Sequence, residues 1–289
     1  MLEDQAAAGV PISAIRRSTK LLVSVQNAAE AELAHECGVD WIDLKNPSAG
    51  SLGAPDRDTI QSVSKMTAES MTNASTAESI SLSNHSTSTS SNPASVVKER
   101  CIVKSVALGE INDVDFRIAR ESVAPFAVAK VGTSGIGQLR DAEAWSKLYD
   151  LYEKLGRGKL IAAAYADYER ANAPSPEKIL TWSATISAPY LLIDTFVKDG
   201  LGLPHWLEPQ RLQKLIAAAD RAGMGVALAG SLKLSDAQWI ASLSPDYIAV
   251  RGAVCSGERN GPLCSAKIHA WLTELTSWNA NSDSRSTTH

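Results

Sequence analysis

Short apolar runs that recur at roughly 20 to 35 residues, each followed by a segment of helical period, constrain this chain more than any other feature. Eight such runs can be read along it: Leu21–Val25, Val39–Lys45, Cys101–Ala107, Phe126–Val131, Lys159–Tyr165, Tyr190–Thr195, Gly225–Gly230 and Tyr247–Gly252. They are nearly continuous in apolar residues rather than alternating, as expected of parallel strands buried on both faces. Helical segments are expected at Ala28–Cys37 with Asn27 as its cap, and at Asp56–Lys65, Val114–Glu121, Ala142–Leu155, Pro209–Ala222, Ser235–Ser242 and Lys267–Trp278. Eight β-strands alternating with helices predict an α/β fold of the (β/α)₈ TIM-barrel type. A doubly wound open sheet is the second choice, and it lacks the GxGxxG turn such folds use for dinucleotides.

One interval breaks the spacing. From Lys45 to Ala107 the gap is 62 residues, and it falls to 33 once residues 67–95 are set aside. In that segment 15 of 29 residues are Ser or Thr and none is aromatic. Such a composition cannot bury enough apolar area to offset its ordering entropy, so a disordered insertion between helix 2 and strand 3 is expected. Its sequons at Asn73 and Asn84 matter only in a secreted chain. The remaining divisions are an N-terminal extension over 1–19, a catalytic barrel over 20–278 and a polar tail over 279–289.

Composition excludes several classes. Net charge is −4 and charged residues make up 21%, without the basic excess of a nucleic-acid binder. No run has the length of a membrane span, and the first residues lack the apolar core of a signal peptide. The four cysteines form no CxxC pair and suit free thiols in a reducing compartment, so a cytoplasmic location is expected. The five histidines show no metal-ligand spacing, so no metal site is expected.

In a barrel the chemistry lies at the carboxyl ends of the strands. Strand 2 ends in Asp43-Leu44-Lys45, with the aspartate and lysine on one side of the pleat. Strand 4 ends in Lys130, and strand 6 in Asp194, with Lys198 in the following loop. Each lysine could be a solvated charge. Converging in one mouth, however, they would repel one another and lose solvation, and both effects lower a lysine pKa. A neutral amine so formed can attack a carbonyl and form a Schiff base, with a second lysine as base and Asp194 orienting an ammonium or relaying a proton. Strand 8 ends in Arg251-Gly252, and Gly230-Ser231 and Gly252-Ala253 follow strands 7 and 8, where barrels often hold phosphate. Ser256, Glu258, Arg259 and Asn260 lie in the longer loop beyond, and Ser51 with Gly53 could cradle a second phosphate. The residues therefore suggest a lysine-dependent carbonyl enzyme acting on a phosphorylated small molecule.

In order along the chain, LLVSV, DLKNPSAGSLGA, SVALGE, AKVG, AAAYADYER, LLIDTFVKDG, ALAGSL and VRGAVCSGERNG span Leu21 to Gly261 outside the insertion. Together they resemble the (5-formylfuran-3-yl)methyl phosphate synthase family of methanofuran biosynthesis. The block around Lys45 and the DTxxKDG block are the specific ones. The resemblance implies a cytoplasmic lyase of one-carbon-carrier biosynthesis. It would condense two molecules of glyceraldehyde 3-phosphate into a furan aldehyde phosphate, losing water and one phosphate, without metal or organic cofactor. On that basis Lys45 is the expected Schiff-base lysine and Lys130 the proton acceptor, with Asp43, Asp194 and Lys198 in support. The expected partner is a phosphorylated triose, with neither nucleic acid nor membrane involved, and a homo-oligomer is compatible. Two other readings stay open. One is an orotidine-phosphate-decarboxylase-like or other phosphosugar barrel, with a protonated, non-covalent lysine in Asp43-Leu44-Lys45. The other is a non-catalytic phosphosugar-binding barrel.

Overall fold

The computed structural model describes residues 18–65 and 102–286. The Ser/Thr-rich segment 67–95 and most of the N-terminal extension lie outside the described residues. Eight parallel strands close into a barrel in sequence order: β1 Lys20–Val25, β2 Trp41–Leu44, β3 Val103–Glu110, β4 Val128–Gly132, β5 Leu160–Tyr165, β6 Tyr190–Asp194, β7 Gly225–Leu228 and β8 Tyr247–Val250. The helices are α1 Ala28–Glu36, α2 over residues 57–65, α3 Phe116–Val123, α4 Asp141–Leu155, α5 Pro176–Thr185, α6 Leu203–Trp206, α7 Pro209–Arg221, α8 Ala237–Ser242 and α9 Ser265–Ser286. None of the described helices is long and apolar enough to cross a membrane. Asn27 caps α1 as the sequence implies, its side chain accepting from the Glu30 N–H at 2.9 Å.

Three differences from the sequence reading have local causes. Helix α5 is absent from the expected elements, although Ser175 caps it and Pro176 opens it. Helix α9 continues through 279–286, part of the expected polar tail. Within it Asn279 accepts from the Thr19 N–H and donates to the Thr19 carbonyl, both at 3.1 Å, which ties the helix to the start of β1. At Asn279 polarity marks a paired contact. Finally, β4 starts at Val128 rather than Phe126, and β7 and β8 stop at Leu228 and Val250, leaving Gly230 and Gly252 in turns.

The core has two layers. One packs the outward faces of the strands against the helices. The other fills the barrel itself, with inward residues two apart on each strand. At the lower end Trp41, Tyr190 and Tyr247 fill the lumen, with ring centroids 4.8 to 5.8 Å apart. Gly225 makes room for them, since a Cβ there would stand 2.6 Å from the Tyr190 ring. Higher up the lumen is lined by Ala107, Ala163, Ala227, Ala229 and Ala249, side chains too small to fill it. Long lysines from the upper rim can therefore reach inward.

Candidate active site

The upper lumen opens into a cavity of about 430 Å³ whose lining includes Lys45, Lys130, Asp194, Lys198, Gly230 and Arg259. Residues far apart in sequence meet there because alternate residues of β2, β4 and β6 share the inward face. Asp43 lies just beneath, fully buried.

Asp43 and its neighbours form one network. In register, Ser24 of β1 and Ser105 of β3 flank Asp43. Ser24 Oγ donates to Asp43 Oδ2 at 2.9 Å and Ser105 Oγ donates to Oδ1 at 2.7 Å. Trp41 Nε1 in turn donates to Ser105 Oγ at 2.9 Å. Lys130 Nζ forms an ion pair with Asp43 Oδ2. Burial raises the pKa of Asp43, but the charges of Lys130 and Lys45 outweigh it and hold the carboxyl below its ordinary value.

The second carboxylate is built alike. Asp194 Oδ1 accepts from Lys198 Nζ and from the Thr195 N–H, each at 2.7 Å. Lys198 Nζ also donates to the carbonyl and hydroxyl of Thr195 at 2.6 and 3.1 Å. Burial opposes ionisation of Asp194, yet Lys198 and Lys45 carry its pKa down to about 2. The loop holding Lys198 is fixed from β5. The buried Asp167 accepts from the Phe196 and Val197 N–H groups at 2.6 and 3.0 Å.

Lys45 differs from both of the other lysines. It is 6% exposed, and its Nζ donates to the Ser51 carbonyl at 3.2 Å. No carboxylate of the described residues lies within 4.0 Å of it. The loop after β2 creates this setting. Asn46 Oδ1 caps a 3₁₀ turn, Pro47–Ala49, and the Asn46 N–H donates to the Gly53 carbonyl. Gly53 is required, because a Cβ there would sit 2.3 Å from the Asn46 oxygen. Burial lowers the Lys45 pKa to about 7, with Asp194 and Asp43 opposing and Lys130 and Lys198 adding to the shift. Two carboxylates among three lysines leave one amine without its own counter-charge, and that amine is Lys45.

The expected phosphate residues divide. Gly230, Ser231 and Gly252 line the cavity. Gly230 and Ser231 both have positive φ, at 107° and 49°. Arg251 reaches the cavity too, but its guanidinium is committed elsewhere. Nε donates to the Arg259 carbonyl, Nη1 to the Ser24 carbonyl and Glu30, and Nη2 to Glu30 and the Gly261 carbonyl. All five N–H donors therefore have protein acceptors, and Arg251 is a buried strut of the β1–β8 seam. Ser51 is engaged as well. It is 1% exposed, with its hydroxyl shared between Asp194 Oδ2 and the Thr195 carbonyl at 3.0 Å, and it braces the site beneath the surface. The sequence reading missed Glu110 and Asp167. Glu110 ends β3, accepting from the Tyr165 hydroxyl at 2.6 Å and the Ser134 N–H at 2.9 Å. Glu110 closes β3 and Asp167 stands two residues beyond β5, rim positions that could have marked them.

A sequence model described as 4-HFC-P synthase matches residues 21–272. The (5-formylfuran-3-yl)methyl phosphate synthase of Methanosarcina barkeri is 28% identical over 264 residues, covering 88% of this chain and 98% of that protein. The synthase of the same name from Archaeoglobus fulgidus is 30% identical over 249 residues, covering 83% and 92%. Among solved structures, phosphoribosyl anthranilate isomerase from Thermus thermophilus gives a TM-score of 0.52 at 14% identity, covering 90% of this chain and 99% of that one. Thiamine phosphate pyrophosphorylase from Pyrococcus furiosus gives 0.51 at 14% identity, covering 91% and 98%. At that identity the solved structures share the barrel alone. The match across the strands and loops that build the cavity carries more, and by it the chain belongs to the 4-HFC-P synthase family of enzymes.

Proposed function

We propose that this protein condenses two molecules of glyceraldehyde 3-phosphate into (5-formylfuran-3-yl)methyl phosphate, with loss of water and one phosphate, through a Schiff base on Lys45. The observation that carries the reading is the position of Lys45, a buried amine without a carboxylate of its own, beside two lysines that have one each. Near neutral pH a large share of such amines carries a free electron pair. Attack on the triose carbonyl gives a carbinolamine. The Lys130 ammonium then gives a proton to the departing hydroxyl, water leaves and an iminium forms on Lys45. Lys130, now neutral, takes the proton from the adjacent carbon, and an enamine results. Total charge among the lysines and aspartates stays constant through these steps, which suits a site shielded from water. The enamine carbon adds to the aldehyde of the second triose. Elimination and ring closure follow, and aromaticity makes the sequence irreversible.

Asp43 keeps Lys130 in place, and the Asp194–Lys198 pair does the same for the opposite wall. A protonated, non-covalent lysine of the decarboxylase type is less well supported, because burial works against the charge of Lys45. The test is incubation of the purified protein with glyceraldehyde 3-phosphate, followed by ultraviolet absorbance and mass analysis. A furan aldehyde phosphate is expected; unchanged triose would refute the proposal.

A further inference from the structure

We infer that Arg259 is the cation that binds the phosphate group of the substrate at this mouth. Three observations lead there. First, the other arginine of the β8 turn cannot do it, since every Arg251 donor already has a protein acceptor; Lys233, from the loop after β7, lines the same cavity but lacks the planar fork that matches phosphate. Second, Arg259 lines the cavity beside Gly230, Ser231 and Gly252, and no carboxylate of the described residues lies within 4.0 Å of its guanidinium. Among the described residues its guanidinium makes one hydrogen bond, a long contact from Nη2 to the Gly50 carbonyl at 3.5 Å, which an anion can displace. Third, the fold builds this placement. Arg251 Nε holds the Arg259 carbonyl at 2.9 Å. Gly252 lets the Arg259 backbone settle on the β8 turn, for a Cβ at 252 would stand 3.3 Å from the Arg259 Cβ.

A planar guanidinium with unused donors at the edge of a half-closed cavity suits a phosphate, which it can grip with two parallel bonds. That the anion is the phosphate of a triose rests on the synthase reading; that an anion binds there rests on the geometry alone. The backbone of the loop is anchored through Arg251, so changing the Arg259 side chain leaves the anchor in place.

The experiment measures inorganic phosphate binding by calorimetry on the full chain, for wild type, Arg259→Gln, Arg259→Lys and, as a control, Arg211→Gln. Arg211 lies in α7 and pairs with Glu177 away from the cavity. Arg259→Gln is expected to weaken phosphate binding about tenfold or more, Arg259→Lys less, and Arg211→Gln not at all. In parallel, furan formation is followed over a range of glyceraldehyde 3-phosphate concentrations. The concentration giving half-maximal rate should rise about tenfold in Arg259→Gln. Unchanged phosphate binding in a folded Arg259→Gln, or none in the wild type, overturns the inference. Loss of binding in Arg259→Gln, with no furan from the wild type, upholds the anion site and rejects the synthase reading.

Discussion

The floor and the mouth of the barrel are made by the same strands, yet they could hardly differ more. On β2 the inward positions read Trp41, Asp43, Lys45; on β6 they read Tyr190, Leu192, Asp194. Two residues of rise carry the lumen from packed rings to ion pairs. The floor is filled by three packed rings, and the charged groups sit above it. Asp43 offsets the cost of burying Lys130, and Asp194 that of Lys198, while Lys45 has only a carbonyl.

The contrast between floor and mouth breaks most sharply at Lys45. Lys45→Met should reduce furan formation at least ~10³-fold, read by absorbance. It should also stabilise the fold. The Lys45 pKa is about 7 when folded against 10.5 ordinarily, so unfolding takes up a proton between those values. Stability due to this group therefore rises with pH across that window. Removing the amine gains most below pH 7, on the order of 5 kcal/mol at the ceiling, and nothing above about pH 10.5. Thermal unfolding at several pH values checks the sign.

Asp43→Asn strips Lys130 of its counter-charge in the interior and should cost about 3–5 kcal/mol in denaturant unfolding. Adding Lys130→Met should recover much of that loss, because no buried charge then remains unpaired. The floor responds differently. Trp41→Phe removes the donor to Ser105 and some ring area, for a loss of about 1–2 kcal/mol, with kcat within about threefold of wild type. Asp167→Asn tests the brace on the β6 loop. It should lower kcat about tenfold with KM little changed, through the position of Lys198. A separate effect appears in acid. Stability from Asp194, whose pKa lies near 2, is present above its ordinary value of 3.8 and is lost as pH falls through about 2.

Much of this was legible in the sequence because the barrel repeats a simple pattern. Each apolar run with a small or charged residue at its end is a strand with a rim position, and Lys45, Lys130 and Asp194 stand out by that rule alone. Helix α5 carries its start signal in Ser175-Pro176-Glu177. What could not be read is partnership. Arg251 meets Glu30 across 221 positions and Ser51 meets Asp194 across 143, so no local pattern reveals that their donors are already engaged. The same blindness concealed which lysine lacks an aspartate.

The proposed chemistry turns on a single neutral amine, and one measurement addresses it. The protein is mixed with glyceraldehyde 3-phosphate and borohydride over a pH series, and the reduced adduct is located and quantified by peptide mass analysis. The adduct is predicted on Lys45, with a yield that rises to half its maximum near pH 7. An adduct confined to Lys130 or Lys198, or a Lys45 adduct that forms only near its ordinary pKa of 10.5, would contradict it.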